Sequence, residues 1–467
     1  MKLSFVSACF AAFTWMAHGA ELTIDWSRTN GILRALHGIN KGPLPAGGFF
    51  DLTEQLRALG IPFTRLHDCH WPNPDVVDIH AVFPDFSRDP SRPESYDFVR
   101  TDEYLAAIQR TGAQIIYRLG ESIEHEKTKR FVHPPADAKK WAEICLGIIR
   151  HYNDGWANGY RYGIRYWEIW NEPENRPAMW TGTDEQFMAL YAMTASAIKA
   201  RFPQLKVGGP GFGYTGEILQ GELRAGGLLT NFLAICRRES LPLDFLSWHC
   251  YTDDPEELGF RARGVRRILD AQGFVNVESH LNEWNFLPGH TWQPISKTSG
   301  TPDSRQRFYA EMASAQGAAF IVAALIRLQD APVDVCNLFH GEAGAFGLFS
   351  EHGVPQKNYY ALRAFSELLH TPRRLTVHGD RALSVAAGLG IGGDKAAVLI
   401  SNLDRPQSEL ILSLTNLPWH EPADVHVRVL DGAHDFDDPP GSIFDGRFLR
   451  FTLRRPAVAF VSIQRRR

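Results

Sequence analysis

Short apolar segments alternate with longer amphipathic segments through most of this chain. The short runs are rich in β-branched and aromatic residues, as in YWEIWNE (166–172) and DFLSWHCY (244–251). The longer segments carry apolar residues at helical spacing, as in residues 137–152 and 184–202. Strands that alternate with helices predict βαβ units and a parallel sheet. The other short apolar runs are residues 34–40, 62–68, 114–122, 206–212, 277–285 and 333–340.

The number of these units indicates a closed architecture. Eight strand–helix units between residues 33 and 370 predict an α/β fold, the (β/α)8 or TIM barrel. An open, doubly wound sheet is the competing architecture. No Gly-rich phosphate-binding sequence follows the first strand, which argues against it.

The C-terminal residues 371–467 have a different pattern. Alternating or β-branched runs such as AVLISNLD and VHVRVLDG are separated by Gly, Pro, Asp and Asn. This pattern predicts a C-terminal antiparallel β-sandwich domain. Residues 21–32 begin with the strand-like sequence ELTIDW, and we expect this N-terminal strand to join the sandwich.

Residues 1–20 have the layout of a secretory signal peptide. Lys2 precedes an apolar run from Leu3 to Met16, and small residues follow at Gly19 and Ala20. The run is too short to span a bilayer. We therefore expect an exported protein, secreted or periplasmic, without membrane insertion.

The composition is that of a large globular protein, with 44% apolar and 22% charged residues. A formal charge of −4 without a basic stripe argues against nucleic acid as a partner. The cysteines beyond the signal segment are far apart and lie mostly in apolar segments, which predicts buried free thiols rather than a disulfide framework. They are Cys69, Cys145, Cys236, Cys250 and Cys336.

Polar side chains gather at the C-terminal ends of the predicted strands, where barrels of this kind carry their chemistry. Glu172 and Glu283 end aromatic-rich strands, and each follows an asparagine, in WNEP and LNEWN. These strands, the fourth and the seventh, face each other across the barrel mouth. Two carboxylates about 5–5.5 Å apart make a retaining glycosidase, with one as the nucleophile and the other as the acid/base.

The two catalytic roles require different environments. The acid needs a raised pKa, which burial among Trp and Tyr side chains supplies. The nucleophile must stay ionised, which requires donors such as the Tyr251 hydroxyl or the Arg65 guanidinium. Asn171 is a candidate to hold the sugar 2-hydroxyl, and Pro173 keeps Glu172 out of helical geometry.

Further residues at the strand ends are candidate substrate contacts. Glu121 and Glu342 have a second interpretation, as partners for arginine side chains. We expect His249 and Tyr251 to share a face that points into the mouth, because strand side chains alternate. The candidate substrate-binding residues are Asn171, His249, Tyr251, Arg65, His67, Trp284 and Glu342.

The end of the second strand also offers metal-ligand chemistry, in His67, Asp68, Cys69 and His70. Strand alternation sends His67 and Cys69 to one side and Asp68 and His70 to the other, so convergence on one ion is not expected. We therefore favour contacts with sugar hydroxyls and predict no metal site.

The stretch WNEPENRPAMWTGTDEQFMALYAMTASAIKARFPQLKVGGPGF resembles glycoside hydrolase family 39, the family of β-xylosidases and α-L-iduronidases. The resemblance continues in DFLSWHCY, in HLNEWN and in GAFGLFSEHGVPQKNYYALRAFSEL, and it covers about residues 35–370. WNEP alone is shared by a wider clan of retaining barrel glycosidases. The ordered series WNEP, WTGT, KVGGP and HCY is more specific.

The resemblance implies that Glu172 is the acid/base and Glu283 the nucleophile, with His249, Tyr251 and Asn171 as sugar contacts. It implies no metal and no cofactor. Residues 65–80 and 333–349 depart from the xylosidase pattern, and both segments bear on the choice of sugar. We expect an exo-acting, β-xylosidase-like enzyme with an oligo- or polysaccharide substrate.

Besides a metal-dependent barrel hydrolase that would use the His67 region and would need three converging ligands, three alternatives stay open. The first is an endo-acting hydrolase of an exopolysaccharide. The second is another specificity of the family, an arabinosidase or an α-L-iduronidase, which would use Arg65, Lys41 or Arg118 to bind a substrate carboxylate. The third is a non-catalytic sugar-binding barrel, against which the presence of both carboxylates counts.

Overall fold

The computed structural model describes residues 20–45, 50–69, 76–406, 409–439 and 441–466. Residues 1–19 of the expected signal peptide lie outside the described residues, and so does His70. Within the described ranges the chain forms a barrel followed by a large sheet.

The barrel is closed by eight parallel strands, as the sequence pattern predicted. The barrel order is β10-β11-β2-β3-β4-β5-β6-β9, so β4 and β10 lie on opposite sides of the ring. Strand β1 lies outside the barrel, and β7 and β8 form a separate hairpin. The bounds are β1 (Ala20–Ile32), β2 (Gly38–Asn40), β3 (Phe63–Leu66), β4 (Gln114–Leu119), β5 (Tyr166–Ile169), β6 (Lys206–Phe212), β7 (Gly216–Leu219), β8 (Glu222–Ala225), β9 (Phe245–Thr252), β10 (Glu278–Phe286) and β11 (Val335–Leu338).

Helices alternate with these strands. Residues 302–327 form two helices, α8 and α9, with Ser314 as the N-cap of the second. A side-chain oxygen that accepts a hydrogen bond from the first turn starts a new helix there. The bounds are α1 (Thr53–Leu59), α2 (Ile79–Val82), α3 (Val99–Thr111), α4 (Ala138–Asn153), α5 (Asp184–Arg201), α6 (Gly227–Arg238), α7 (Pro255–Ala271), α8 (Pro302–Met312), α9 (Ala315–Arg327) and α10 (Lys357–Leu368).

The interior of the barrel is layered. Ile116, Tyr166, Phe245 and Val335 come from four different strands and form one small apolar cluster, which requires that they point inward. Because side chains on a strand alternate, the residues two positions further along also point inward. At that level the interior becomes polar, with Arg65, Arg118, Glu168, Ser247 and Asn337 all fully buried.

The C-terminal strands form one ten-stranded sheet that includes β1. Strand β1 pairs antiparallel with β12 and parallel with β15, and the other pairs are antiparallel. Helix α9 packs on this sheet and on the barrel strand β10. The bounds are β12 (Arg373–His378), β13 (Ser384–Leu389), β14 (Lys395–Asn402), β15 (Glu409–Ser413), β16 (Ala423–Leu430), β17 (Asp435–Asp437), β18 (Ile443–Phe444), β19 (Phe448–Thr452) and β20 (Ala457–Arg465).

The cysteines are buried and free, as expected: Cys69, Cys145, Cys236, Cys250 and Cys336. No single helix of the described chain has both the length and the apolar character to cross a bilayer. Pro302–Met312 and Ala315–Asp330 meet that length and composition only when they are taken as a pair, and they are bent by 48° at the break between them.

Candidate active site

Glu172 lies just beyond β5, on a stretch of unusual backbone. Trp170 has φ 71° and Glu172 has φ 43°, both in the left-handed region that side chains rarely adopt. The Glu172 N–H holds this conformation by donating to the carbonyls of Pro210 and Gly211 at the end of β6, at 3.1 Å each. Gly213 leaves room for the Glu172 carboxyl in this position, because a Cβ there would lie 2.5 Å from Glu172 Oε1.

Glu283 lies on β10 at an irregularity in the strand pairing. The register with β9 shifts between Leu281 and Glu283, and Glu283 pairs with His249. Such a bulge re-aims the side chain that follows it. The Tyr251 hydroxyl donates to Glu283 Oε2 at 3.0 Å, and Arg65 Nη1 donates to Oε1 at 2.9 Å.

His249 lies between the two carboxylates. Its Nδ1 is 2.7 Å from Glu172 Oε1 and 3.3 Å from Glu283 Oε2. One potential ligand atom from each of the three residues, a carboxylate oxygen or an imidazole nitrogen, lies within 4.8 Å of the other two. The sequence-predicted pair therefore does converge on one small space at the barrel mouth.

Arg65 connects most of the other predicted residues. Its Nε donates to Glu168 Oε2 at 2.6 Å, and its Nη2 donates to Asn171 Oδ1 at 2.6 Å. Its Nη1 donates to Asn40 Oδ1 as well as to Glu283 Oε1. Arg65 has no exposed surface, so the prediction that it contacts substrate is not supported. It fixes Glu283 and the amide of Asn171 instead.

Glu168 is a member of the site that the sequence reasoning missed. It is fully buried inside β5, where its carboxylate accepts from Arg65, from the Ser247 hydroxyl at 2.5 Å and from Asn282 Nδ2. A charged residue in the middle of the apolar run YWEIW was the available signal. Charge-assisted hydrogen bonds to two carboxylates fix the position of a buried arginine side chain.

The pKa directions of the two carboxyls differ from those that their roles suggest. Burial would raise the pKa of Glu172, but the His249 hydrogen bond and charge outweigh it, and the pKa is lowered. Burial is the largest influence on Glu283 and raises its pKa against the opposing charges of His249 and Arg65. Burial disfavours the charged form of His249, but the Glu283 charge and the Glu172 hydrogen bond raise its pKa. His249 thus acts to lower the pKa of both neighbouring carboxyl groups, and their charges raise its own pKa.

A second polar wall lies near Glu283, between Lys41 and His67. Lys41 Nζ is 3.3 Å from Glu342 Oε2, and His67 Nε2 is 3.3 Å from Asp68 Oδ1 and 4.0 Å from Glu283 Oε1. Glu342 Oε1 and His67 Nδ1 are buried and have no hydrogen-bond partner among the described residues. Both predicted contacts thus retain a free polar atom for a hydroxyl group.

Trp284 and Glu121 lie in surroundings that differ from those expected from the sequence. Trp284 was expected to bind substrate, but it has no exposed surface and belongs to the hydrophobic core, since alternation turns it away from the face of Glu283. Glu121 was considered as an arginine partner, but it bonds His80 Nδ1 at 2.5 Å, and Arg118 pairs with Asp78.

The geometry at the end of β3 also differs from the alternation argument. Asp68 has φ 51°, which breaks the strand pattern and brings its carboxylate to His67. Two compact groups of potential ligand side chains occur among the described residues, and neither contains His67. They are Glu172, His249 and Glu283, and Asp78, His80 and Glu121. Asp78 of the second group is already engaged by Arg118 and by the Ser122 N–H.

Comparison with characterised proteins confirms the family resemblance. A β-xylosidase from Caldicellulosiruptor saccharolyticus is 27% identical over 387 residues, which cover 75% of this chain and 71% of that protein. A β-xylosidase from Geobacillus stearothermophilus is 27% identical over 294 residues, which cover 55% of this chain and 53% of the relative. The aligned region thus spans about half the length of the latter relative.

Solved structures agree with the fold. A glucosidase from Croceicoccus marinus has a TM-score of 0.79 at 26% identity, covering 96% of this chain and all of that chain (100%). A β-xylosidase from Caulobacter crescentus has a TM-score of 0.69 at 18% identity, covering 95% and 99%. The model of the glycosyl hydrolases family 39 matches residues 69–369 of this chain. The chain belongs to that family, and the protein is a glycosidase.

Proposed function

We propose that this protein is an exported, retaining exo-glycosidase that removes a neutral sugar, xylose or a close relative, from the non-reducing end of an oligo- or polysaccharide. The observation that carries the proposal is the convergence of Glu172 and Glu283, whose oxygens lie within 4.8 Å across the barrel mouth. An inverting enzyme needs carboxyls about 6.5–9.5 Å apart to accommodate a water molecule between them and the sugar.

The reaction has two steps in this proposal. Glu283 attacks the anomeric carbon, the glycosidic bond breaks, and Glu172 gives its proton to the leaving oxygen. Water then attacks the same carbon and displaces Glu283, while Glu172 takes the proton from that water. Arg65 and Tyr251 support Glu283 as the nucleophile, because each donates to one of its oxygens.

The lowered pKa of Glu172 in the free site does not suit a general acid, so Glu172 has to gain a proton when substrate binds. The hydrogen bond and the charge of His249 lower the pKa of Glu172, the acid/base in this proposal. Substrate binding excludes water and places the glycosidic oxygen beside Glu172, and such exclusion favours the neutral form of a carboxyl group. Glu172 must therefore gain its proton in the complex.

Contact between two loops supports exo action. The loop 120–137 follows β4 and the loop 287–301 follows β10, and these strands lie on opposite sides of the ring. Lys297 Nζ donates to the carbonyl of His125 at 2.9 Å, which joins the two loops. We call this Lys297–His125 contact the loop bridge. A bridge between opposite sides of the barrel mouth favours a pocket for a chain end over an open cleft.

The charges near the site favour a neutral sugar. Lys41 faces Glu342, Arg65 faces Glu168 and Glu283, and Arg118 faces Asp78. Each cation that the sequence offered for a substrate carboxylate is thus already paired. A uronic acid would have to displace one of these partners, which argues against an iduronidase.

The choice among neutral sugars rests on the relatives. Two similar proteins are β-xylosidases, and a similar solved structure is a glucosidase. Glucose is therefore the second candidate glycone. Export is supported by the signal-like sequence of residues 1–20.

A panel of aryl glycosides tests the proposal, with β-xyloside, β-glucoside, β-galactoside, α-L-arabinoside and α-L-iduronide. We expect activity on the β-xyloside or β-glucoside that is lost in Glu283→Gly. Nuclear magnetic resonance of the first-formed product should show the anomer of the substrate. Digestion of xylo-oligosaccharides should release only the monosaccharide at early times. Early release of mixed oligosaccharides, or cleavage of the iduronide alone, would overturn the proposal.

A further inference from the structure

Trp292 is an exposed aromatic residue at the barrel mouth. It lies on the loop 287–301, directly after β10, the strand that carries Glu283. Its side chain is 44% exposed. A single exposed apolar residue is ordinary on a protein surface, so the neighbours of Trp292 have to show whether its position has a function. The tryptophans of the core, by contrast, are fully buried: Trp167, Trp170, Trp180, Trp248 and Trp284.

The contacts of Trp292 lead to the nucleophile candidate through one intermediate residue. The ring centroids of Trp292 and Tyr251 are 5.0 Å apart, with an angle of 67° between the ring planes. The Tyr251 hydroxyl in turn donates to Glu283 Oε2. Exposure rises along this series, from 5% for Glu283 through the half-buried Tyr251 to Trp292. The indole therefore lies further out than Tyr251, at the opening of the mouth.

Several contacts hold Trp292 in this position. Its ring also packs near Phe346, on the loop after β11, at a centroid distance of 6.2 Å. Its carbonyl accepts hydrogen bonds from the N–H groups of Ile295 and Ser296, at 3.2 and 3.1 Å. The loop bridge at Lys297 fixes the same loop a few residues further on. A side chain that is already ordered loses little freedom when a ligand binds, which favours a role in recognition.

The sugar bound at the catalytic pair lies deeper than Trp292. Its hydroxyl groups can reach the polar wall of Lys41, His67 and Glu342, and all three of these residues are buried. In the proposed exo mode, the rest of the substrate extends from this sugar through the opening. A side chain at the opening therefore faces the leaving group. An indole offers a pyranose a large apolar surface for the C–H face of its ring, while the hydroxyl groups stay in water.

We propose that Trp292 is a specificity-determining residue that stacks on the first sugar of the leaving group, a pyranose. This inference rests on the proposed function, because only an exo-acting enzyme places its leaving group at this opening. The same surface would bind a sugar that acts as an acceptor in place of water. Trp292 itself takes part in no bond change.

The glycosyl–enzyme intermediate permits a test that does not depend on how fast this intermediate forms. A hydroxyl oxygen of an acceptor attacks the anomeric carbon, the bond to Glu283 breaks, and the hydroxyl proton passes to Glu172. A dinitrophenyl glycoside of the preferred sugar supplies the intermediate. Methyl β-xyloside, which has a pyranose ring, and methanol, which has none, compete separately with water. Product analysis gives the ratio of transfer to hydrolysis for each acceptor.

The two acceptors should respond differently to the loss of the indole. We expect Trp292→Ala to lower the transfer ratio for methyl β-xyloside by about 10-fold, since an aromatic contact of this kind is lost. The ratio for methanol should stay at the wild-type value. Trp292→Phe keeps an aromatic face and should restore most of the transfer to the xyloside. A role limited to supporting Tyr251 would change the rate of hydrolysis but would not separate the two acceptors.

Trp156→Ala is the matched control. Trp156 is half-buried and lies in the segment before β5, at the end of the barrel opposite the mouth, so both ratios should be unchanged. Circular dichroism checks that each variant is folded. The inference is wrong if Trp292→Ala lowers both ratios equally or neither, or if the wild type transfers to methanol but not to the xyloside. A wild type that transfers to neither acceptor would instead contradict the retaining mechanism of the proposed function.

Discussion

Arg65 Nη1 and Glu283 Oε1 are joined by a 2.9 Å hydrogen bond inside the barrel, and the same guanidinium holds Glu168 and Asn171. One planar group therefore orients the nucleophile candidate and a candidate sugar contact at the same time. Lysine cannot reproduce this arrangement, because its ammonium is a point charge without a fixed fork of donors.

Arg65→Lys should consequently impair both activity and stability. We expect kcat to fall by about 100-fold or more, since Glu283 loses its fixed donor. Leaving a buried carboxylate without its partner should lower the free energy of unfolding by about 3–5 kcal/mol. Initial rates and urea denaturation measure the two effects. Arg57→Lys is the control, because Arg57 pairs with Glu54 on the surface, and it should change stability by less than about 1 kcal/mol.

Glu283→Gly should abolish hydrolysis and permit chemical rescue. Azide can occupy the space of the lost carboxylate and attack the anomeric carbon of an activated substrate. The product should be a glycosyl azide of inverted configuration, because a single displacement replaces the double one. Chromatography and nuclear magnetic resonance identify the product. Normal hydrolysis by this variant would remove Glu283 from the nucleophile role.

Glu172→Ala should discriminate between substrates by their leaving groups. A dinitrophenyl glycoside needs no proton to leave, so its cleavage should be slowed little. An alkyl glycoside should lose about 100-fold to 10,000-fold in rate, the usual contribution of general acid catalysis. Steady-state rates across a leaving-group series give the dependence. Equal losses across the series would contradict the acid role.

Glu342 should make stability fall as the pH rises. Burial raises its pKa to about 7 against the opposing charge of Lys41, from an ordinary value of 4.5. The folded state thus binds this proton more tightly than the unfolded state, so the contribution is present at pH 4.5 and lost as the pH rises through 7.

Glu342→Gln should remove this contribution. We expect the unfolding free energy of the variant to decline less than that of wild type between pH 5 and pH 8, by roughly 3 kcal/mol for a shift of this size. Urea denaturation at several pH values measures the difference. Glu351→Gln, at an exposed position, is the control. Parallel curves for wild type and Glu342→Gln would show that the Glu342 carboxyl does not contribute.

The barrel and the catalytic pair could be predicted because both depend on local patterns. Apolar runs gave all eight barrel strands, and the asparagine–glutamate pairs at strand ends marked Glu172 and Glu283. Their convergence follows from the topology of a closed ring with parallel strands. Because side chains alternate along a strand, the position of Glu283 also predicts that its neighbour Trp284 points into the hydrophobic core.

The network beneath the catalytic pair could not be predicted in the same way. Arg65, Glu168 and Ser247 lie on three different strands, and only the registers of β3, β5 and β9 decide which atoms meet. The contact between the side chains of His67 and Asp68 depends on the left-handed backbone of Asp68, which the periodic pattern of the sequence does not reveal. The pKa of Glu172 depends on its burial, on its contact with His249 and on the Asn175 amide, and no periodic pattern reports these contacts.

The loop bridge between Lys297 and His125 has a consequence for how a chain is degraded. In the proposed exo mode, the pocket has a single opening, through which substrate enters and the freed sugar leaves. The shortened chain blocks this opening until it dissociates. In that mode we expect the enzyme to work distributively, so that intermediates of every length accumulate in solution instead of one chain being consumed to its end.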